Sequence, residues 1–305
     1  MLNIASGIEV DVKNMRSLSL LLLLLPLLSC DNSFSPKADY EDRIVVFCIL
    51  DRNAPYQSVR LESTYDAELT SPDKPIGKKD IEQATVTIRN DVGVHTFRDT
   101  LVTSSDGKQK RIWINRTLVP TEGRTYTLIA DVPGFERITA QTTVPSRAYL
   151  QTQIGDGALR LSTVTSVAFP ATAFHFRMWV VGTRSQGGVD TEVRREVPLR
   201  YDARTGEYEF GSPSRQTLQL YPNSSLIYAQ GQLRDLDSVV GRDVVATAYS
   251  LDQYLYSYFQ LVRGFDDPTS YRLDRPDISN INNGVGIFGA MFADSVRLRY
   301  NAVVQ

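Results

Sequence analysis

The chain carries two cysteines and two histidines, so thiol and imidazole chemistry rests on four positions. Cys48 lies inside Ile44-Val-Val-Phe-Cys-Ile-Leu50, an apolar run typical of a buried strand, with no neighbouring base or cation to lower its pKa. It reads as a small hydrophobe rather than a nucleophile. His95 and His175 fall on separate predicted strands and CxxC pairs are absent, so neither a metal cluster nor a Ser-His-Asp arrangement is supported. His175 alternates with Phe174 and Phe176 and is expected to be a partly exposed sheet residue. Carboxylates are plentiful, yet no local spacing selects a glycosidase-type pair. No catalytic residue, metal or cofactor is assigned.

Cys30 is a different case. It closes Leu18-Ser-Leu-Leu-Leu-Leu-Leu-Leu-Pro-Leu-Leu-Ser-Cys30, an uncharged run about half as long as the ~20 apolar residues of a spanning helix. Lys13 and Arg16 give the positive flank of a signal peptide, and small Ser29 sits at the cleavage point. Leu27-Leu28-Ser29-Cys30 resembles a bacterial lipobox, in which a diacylglycerol is added to the thiol and the cysteine becomes the new N-terminus. The alternative is an ordinary secretory signal with an incidental cysteine. Each buried CH₂ of an acyl chain contributes ~0.8 kcal/mol, so two or three chains anchor stably. Glu9 and Asp11 suit an n-region poorly, which makes Met15 an alternative start. The expectation is a signal peptide over 1–29 and a lipidated tether over 30–41, attached to membrane through acylated (palmitate-bearing) Cys30.

Two further motifs carry potential binding chemistry. Gly284-Val-Gly286-Ile-Phe-Gly289 fits G-x-G-x-x-G, but a dinucleotide site needs a strand before it, a helix after it and an acidic residue ~20 positions on. A polar loop precedes it, a strand follows, and no acidic residue comes after Asp294. These glycines are expected instead to let backbone approach closely within a packed sheet. Tyr254, Tyr256 and Tyr258 crowd one helix and form a candidate binding surface. Tyr256 falls off the apolar face and could present a flat ring to a sugar or a partner protein. The competing reading is that these rings pack helix against sheet.

The elements that must position these residues read mostly as strands. About 275 residues follow the anchor, enough for two ordinary domains. A formal net charge of −2 with interspersed signs offers no footprint for nucleic acid. Over 42–146 about seven short strands, separated by turns such as Asn90–Gly93 and Pro133-Gly134, predict an immunoglobulin-like β-sandwich. Tyr126 matches either the hydroxyl of a tyrosine corner or a core tyrosine with a wet hydroxyl. Val144-Pro145-Ser146 marks the boundary to a second, β-rich, sandwich-like domain over 147–305. Its strands include Thr172–Val181, in which Phe174, Phe176, Met178 and Val180 alternate with Ala173, His175, Arg177 and Trp179 so that one face is buried and the other partly exposed, with Leu226–Ala229 as a further strand and Ser295–Val304 as the last. One helix, 251–263, is expected there, opened by a capping box Ser250-Leu-Asp-Gln253 and stopped at Arg263-Gly264.

The lipobox, the start Ile44-Val-Val-Phe47, the helix Tyr254-Leu-Tyr-Ser-Tyr-Phe-Gln-Leu261 and the run Ile278-Ser-Asn-Ile-Asn-Asn-Gly-Val-Gly-Ile-Phe-Gly-Ala290 together resemble the domain of unknown function 4249 family of Bacteroidota lipoproteins. The resemblance covers nearly all of the mature chain. It implies a cell-envelope lipoprotein, often found beside outer-membrane TonB-dependent receptors, and it carries over no catalytic residue. The leading expectation is a non-enzymatic, outer-membrane binding or docking accessory to a nutrient-uptake receptor, with a receptor protein, a glycan or a peptide as partner. A carboxylate-based surface hydrolase and a structural or adhesive envelope protein are the alternatives.

Overall fold

The computed structural model describes residues 43–303 apart from 64–80, 104–106, 108, 156, 167, 169, 187, 235–238 and 263–278. Cys30, the 1–29 signal segment, the 30–41 tether and the helix stop at Arg263-Gly264 lie outside the described residues. The fold is mainly β, as the turn-punctuated apolar alternation demands.

The first seven strands are β1 (Ile44–Asp51), β2 (Gln57–Ser63), β3 (Thr85–Arg89), β4 (Val94–Thr103), β5 (Gln109–Asn115), β6 (Thr125–Asp131) and β7 (Ile138–Thr143). β2 pairs with β1 and β5, while β6 pairs with β3 and β7. Strand β4 belongs to both groups: residues 94–97 pair with β3 and 98–103 with β5. Inward rows from the two groups, among them Val46, Cys48, Leu61, Val86, Ile88 and Leu128, meet in one core around Trp113. This is compatible with the expected immunoglobulin-like sandwich. Tyr126 settles as the tyrosine corner, since its buried hydroxyl accepts from the Thr121 amide at 3.0 Å.

The remaining strands form a second region. A three-stranded sheet holds β8 (Ala148–Gly155), β9 (Ala158–Thr165) and β14 (Leu218–Pro222). A larger sheet runs β11 (Val189–Glu196), β10 (Ala173–Gln186), β15 (Val239–Leu251), β17 (Val285–Arg299) and on into β1 and β2. The remaining elements are a hairpin of β12 (Arg200–Tyr201) and β13 (Tyr208–Glu209), a two-residue β16 (Ile281–Asn282) that pairs with β7 of the first region, and the helices α1 (Asn223–Arg234), α2 (Gln253–Val262) and α3 (Tyr300–Val303).

Three expectations change here. Leu226–Ala229 is part of α1 and not a strand; Leu226, Ala229 and Leu233 recur at helical spacing and are buried against the second core. A short apolar run does not by itself separate the two states. The second region therefore holds a twelve-residue helix besides the expected one. The terminal strand ends at Arg299, and Tyr300–Val303 coils into α3, which buries Val303. Ser250 is not the helix cap: it is on β15, where its hydroxyl accepts from the Ala148 amide at 3.0 Å. Asp252 caps α2 instead, its carboxylate accepting from the Leu255 amide at 2.7 Å.

Strand β17 ties the two regions together. Its first half runs parallel to β1, from Val45↔Val285 to Asp51↔Met291, and its second half runs antiparallel to β15, from Leu251↔Met291 to Asp243↔Arg299. The glycine-rich run lies on this seam. Gly286, at φ +119°, sits where a Cβ would land on the Val46 backbone, and at Gly289 one would meet Leu255 Cβ at 3.0 Å. The glycines thus admit strand β1 on one side and helix α2 on the other, the close approach expected of them. Asn280 supports the same run with its side chain: the amide donates to the carbonyls of Phe288 (2.8 Å) and Gln141 (3.1 Å), and its oxygen accepts from the Phe288 amide at 2.9 Å.

Candidate binding face

The two-residue side-chain period puts alternate residues of four neighbouring strands on one outer face. From β1 come Phe47, Ile49 and Asp51; from β17, Ile287, Met291 and Ala293; from β15, Thr247 and Tyr249; from β10, Arg177 and Trp179. Helix α2 lies across the middle of this face. Leu255, Tyr258 and Phe259 pack with Phe47, Leu251, Ile287 and Met291 into a third core, in which Tyr258 meets Phe47 edge-on at 6.0 Å. The helix is fixed at its start by Asp252. Besides capping, this carboxylate accepts from the Thr142 hydroxyl of β7, so it joins α2 to the first region. Burial pushes its pKa up to about 6, against the opposing pull of the Thr142 hydroxyl and backbone amides.

Two clefts open on the face and meet at Asp51 and Met291. The first, of about 510 Å³, has mostly apolar walls, with Phe47, Ile49, Tyr56 and Ile112, and polar rims at Arg60 and Lys110. The second, of about 600 Å³, is more polar and is floored by Arg177, Trp179, Thr247 and Tyr249. Trp179 is flanked by two guanidiniums, Arg177 at 5.1 Å and Arg194 at 5.4 Å from its ring centre. Glu196 holds Arg177 by a two-point pair, with Nε donating at 2.8 Å. Asp51 stands where the clefts meet; burial raises its pKa, and the Asn53 amide, donating at 2.8 Å, opposes that rise. Concave, part-apolar clefts with a few fixed polar groups suit capture of a ligand or a partner's side chains.

The residues singled out from the sequence end up in different places. Tyr254 is 39% exposed at the helix start, Tyr256 is partly buried with Arg215 stacked 5.9 Å from its ring centre, and Tyr258 is 4% exposed and belongs to the core. The helix therefore does not offer the three tyrosines as one surface. Cys48 is fully buried and desolvation drives its pKa far up, which leaves the thiol inert. His175 corrects its expected exposure. It is 2% exposed, stacked on Tyr249 at 6.1 Å, and burial pushes its pKa down to about 3, so it stays neutral. Both faces of β10 are covered near His175, one by the second core and the other by neighbouring side chains, so period two misjudged that side. His95 lies on β4, remote from both clefts' linings. Of the carboxylates beside the face, Asp243 holds Arg297 and Arg299 and Glu192 meets Arg297 at 3.1 Å, while Asp294, turned to the opposite side of β17, pairs with Arg147 and accepts from the Leu150 amide at 2.8 Å.

Sequence reasoning missed Asp51, Trp179 and its two arginines, and Asp252. The period-two reading of β10 did place Arg177 and Trp179 on one face; only the pairing with β15 and β11 reveals what surrounds them. Among the described residues no group of His, Cys, Asp and Glu could hold a metal ion, and no helix is long and apolar enough to cross a membrane. A family model described as domain of unknown function (DUF4249) matches residues 31–297 of the chain. No curated protein matches it.

Proposed function

The chain belongs to the domain of unknown function (DUF4249) family, and from that premise we propose that it is a lipid-anchored lipoprotein of the outer membrane with a non-enzymatic binding or docking role. The observation that carries the anchor is Leu27-Leu-Ser-Cys30 placed directly after an uncharged leucine run. Acylation of that thiol tethers the β-rich body, and the 30–41 segment spaces it from the bilayer. The docking role is supported by the paired clefts around Asp51 and Met291, which offer apolar wall and fixed charge side by side. A TonB-dependent nutrient receptor is the partner to which the family resemblance points.

Growth with an alkyne palmitate analogue tests the anchor: wild type takes up label, and Cys30→Ala does not and leaves the membrane fraction. Unlabelled wild type would overturn it. For docking, affinity capture from detergent-solubilised outer membranes recovers the receptor with wild type and loses it with Trp179→Ala combined with Tyr56→Ala. Equal recovery with that double variant would remove the face from the account.

A further inference from the structure

Where the two clefts meet, Asp51 ends strand β1 with a carboxylate that no described neighbour neutralises. Its backbone is clamped: the amide donates to the Gln57 side-chain oxygen at 3.0 Å, and the carbonyl accepts from the Gln57 side-chain amide at 2.8 Å. Asn53 follows, its own side-chain oxygen accepting from the Ala293 amide of β17 at 3.0 Å, so the turn is pinned to the seam. One carboxylate oxygen of Asp51 accepts from the Asn53 amide at 2.8 Å; the other meets no donor among the described residues. Its acidic neighbours differ: Glu196 holds Arg177, while Glu192 and Asp243 hold Arg297. Asp51 is half-buried, yet no cation among the described residues lies within ion-pair distance of it. Burial raises its pKa, and only the Asn53 amide opposes the rise.

We infer that Asp51 receives a lysine or arginine side chain from an extended peptide segment of the docked partner, laid through both clefts. The inference rests on the docking role proposed above and names what that face selects. Each cleft alone has the volume of a single small-ligand site. The carboxylate stands at their junction, so an occupant that fills both extends to either side of its cation, whereas a small amine would leave most of the space empty. Ile49 and Met291 beside Asp51 suit the aliphatic stem of such a side chain, whose charged head then reaches the open carboxylate oxygen. Farther out the signs reverse. Lys110 in the apolar cleft and Arg194 in the polar one have no ion-pair partner among the described residues. They disfavour a second cation on either side and favour acidic or apolar residues there. A divalent metal ion fits poorly, since no three His, Cys, Asp or Glu side chains among the described residues gather to share it.

The test is fluorescence polarisation on the full chain in a non-ionic detergent, with three labelled pools of acetylated, amidated hexapeptides as probes. The pools share randomised flanking positions free of lysine and arginine and differ in one central residue: lysine, norleucine or glutamate. The lysine pool binds wild type at least about tenfold more tightly than the norleucine pool, and the glutamate pool binds most weakly. Asp51→Asn, which keeps an oxygen for the Asn53 amide, brings the lysine pool down to the norleucine level and leaves the norleucine pool unchanged. Asp51→Ser, whose hydroxyl accepts from the same amide, repeats the measurement should Asp51→Asn unfold. Equal binding of the lysine and norleucine pools to wild type, a lysine preference that survives loss of the carboxylate, or no binding of any pool overturns the inference. Docking itself is read separately, by the capture from outer membranes. A receptor lost with the Trp179→Ala, Tyr56→Ala double variant but fully kept with Asp51→Asn removes the cation and leaves the docking role standing.

Discussion

Helix α2 and the β12–β13 hairpin are both rich in tyrosine, yet they use it in opposite ways. On α2 the rings are consecutive neighbours on one helix, and a helix on a sheet must turn one stripe inward; Tyr258 is consumed by the core with Phe47 and Phe259. At the hairpin the rings come from positions 201, 208 and 210 and meet Tyr228 of α1, and two of them stay open to solvent. Crowding of aromatics along the chain therefore marks packing here, while convergence of distant aromatics marks surface. The same contrast extends to tolerance. The seam under α2 has no slack, and the hairpin has little else.

The sharpest break of this comparison is at Gly286. Its φ of +119° suits glycine, and a Cβ would overlap Val46 in the parallel pairing of β1 with β17. Gly286→Val combines backbone strain with a clash against main chain, which cannot rotate away. The expected cost exceeds about 4–5 kcal/mol, at the far end of single substitutions. Circular dichroism and thermal melting of the purified variant measure it. A cooperative transition within a few degrees of wild type would mean the seam can open, and the claim that β17 fixes both regions would go with it.

Asp252 gives the next largest effect and one with a sign. Its folded pKa, about 6, lies above the ordinary 3.8, so the folded state holds the proton more tightly than the unfolded state. Between those two values stability falls as pH rises, and above about 6.5 the loss is complete; the full span is roughly 3 kcal/mol. Asp252→Asn keeps an N-cap oxygen for the Leu255 amide and can donate to the Thr142 hydroxyl while carrying no charge. Relative to wild type, the Asn variant is expected to gain in melting temperature from pH 4 to pH 7.5. Parallel curves for the two proteins across that range would show that the carboxylate does not titrate in the fold.

These two positions also show what the sequence could and could not reveal. The strand pattern and the packing role of the glycines were legible, because each depends on local period or on a turn residue that only one conformation accepts, whereas the Tyr126 hydroxyl stood between two readings until the Thr121 amide was placed against it. The cap was misread because Ser250-Leu-Asp-Gln253 contains two N-cap types two residues apart, and the choice between them was made by β15 continuing through Leu251. Leu226–Ala229 was misread because four apolar or small residues fit either state until Leu233 is buried on the same side. The clefts were invisible for a different reason. Asp51 and Met291 are 240 positions apart and meet only through the β1–β17 register, and no local signal encodes that meeting.

The smallest effect separates the hairpin from the helix most cleanly. Tyr208 is more than half exposed, and its ring touches Phe210 and Tyr228 without filling a core. Removing it takes away one edge-on contact and one tilted contact, while the closer Tyr201–Tyr228 stack and the Asp202–Glu207 turn hydrogen bond at 2.9 Å remain. Tyr208→Ala should therefore change stability by no more than about 0.5 kcal/mol, the range of surface substitutions, visible as a melting temperature within a degree or two of wild type. A large loss of stability in Tyr208→Ala would assign the ring to the scaffold, like Tyr258, and the two regions would no longer differ in kind.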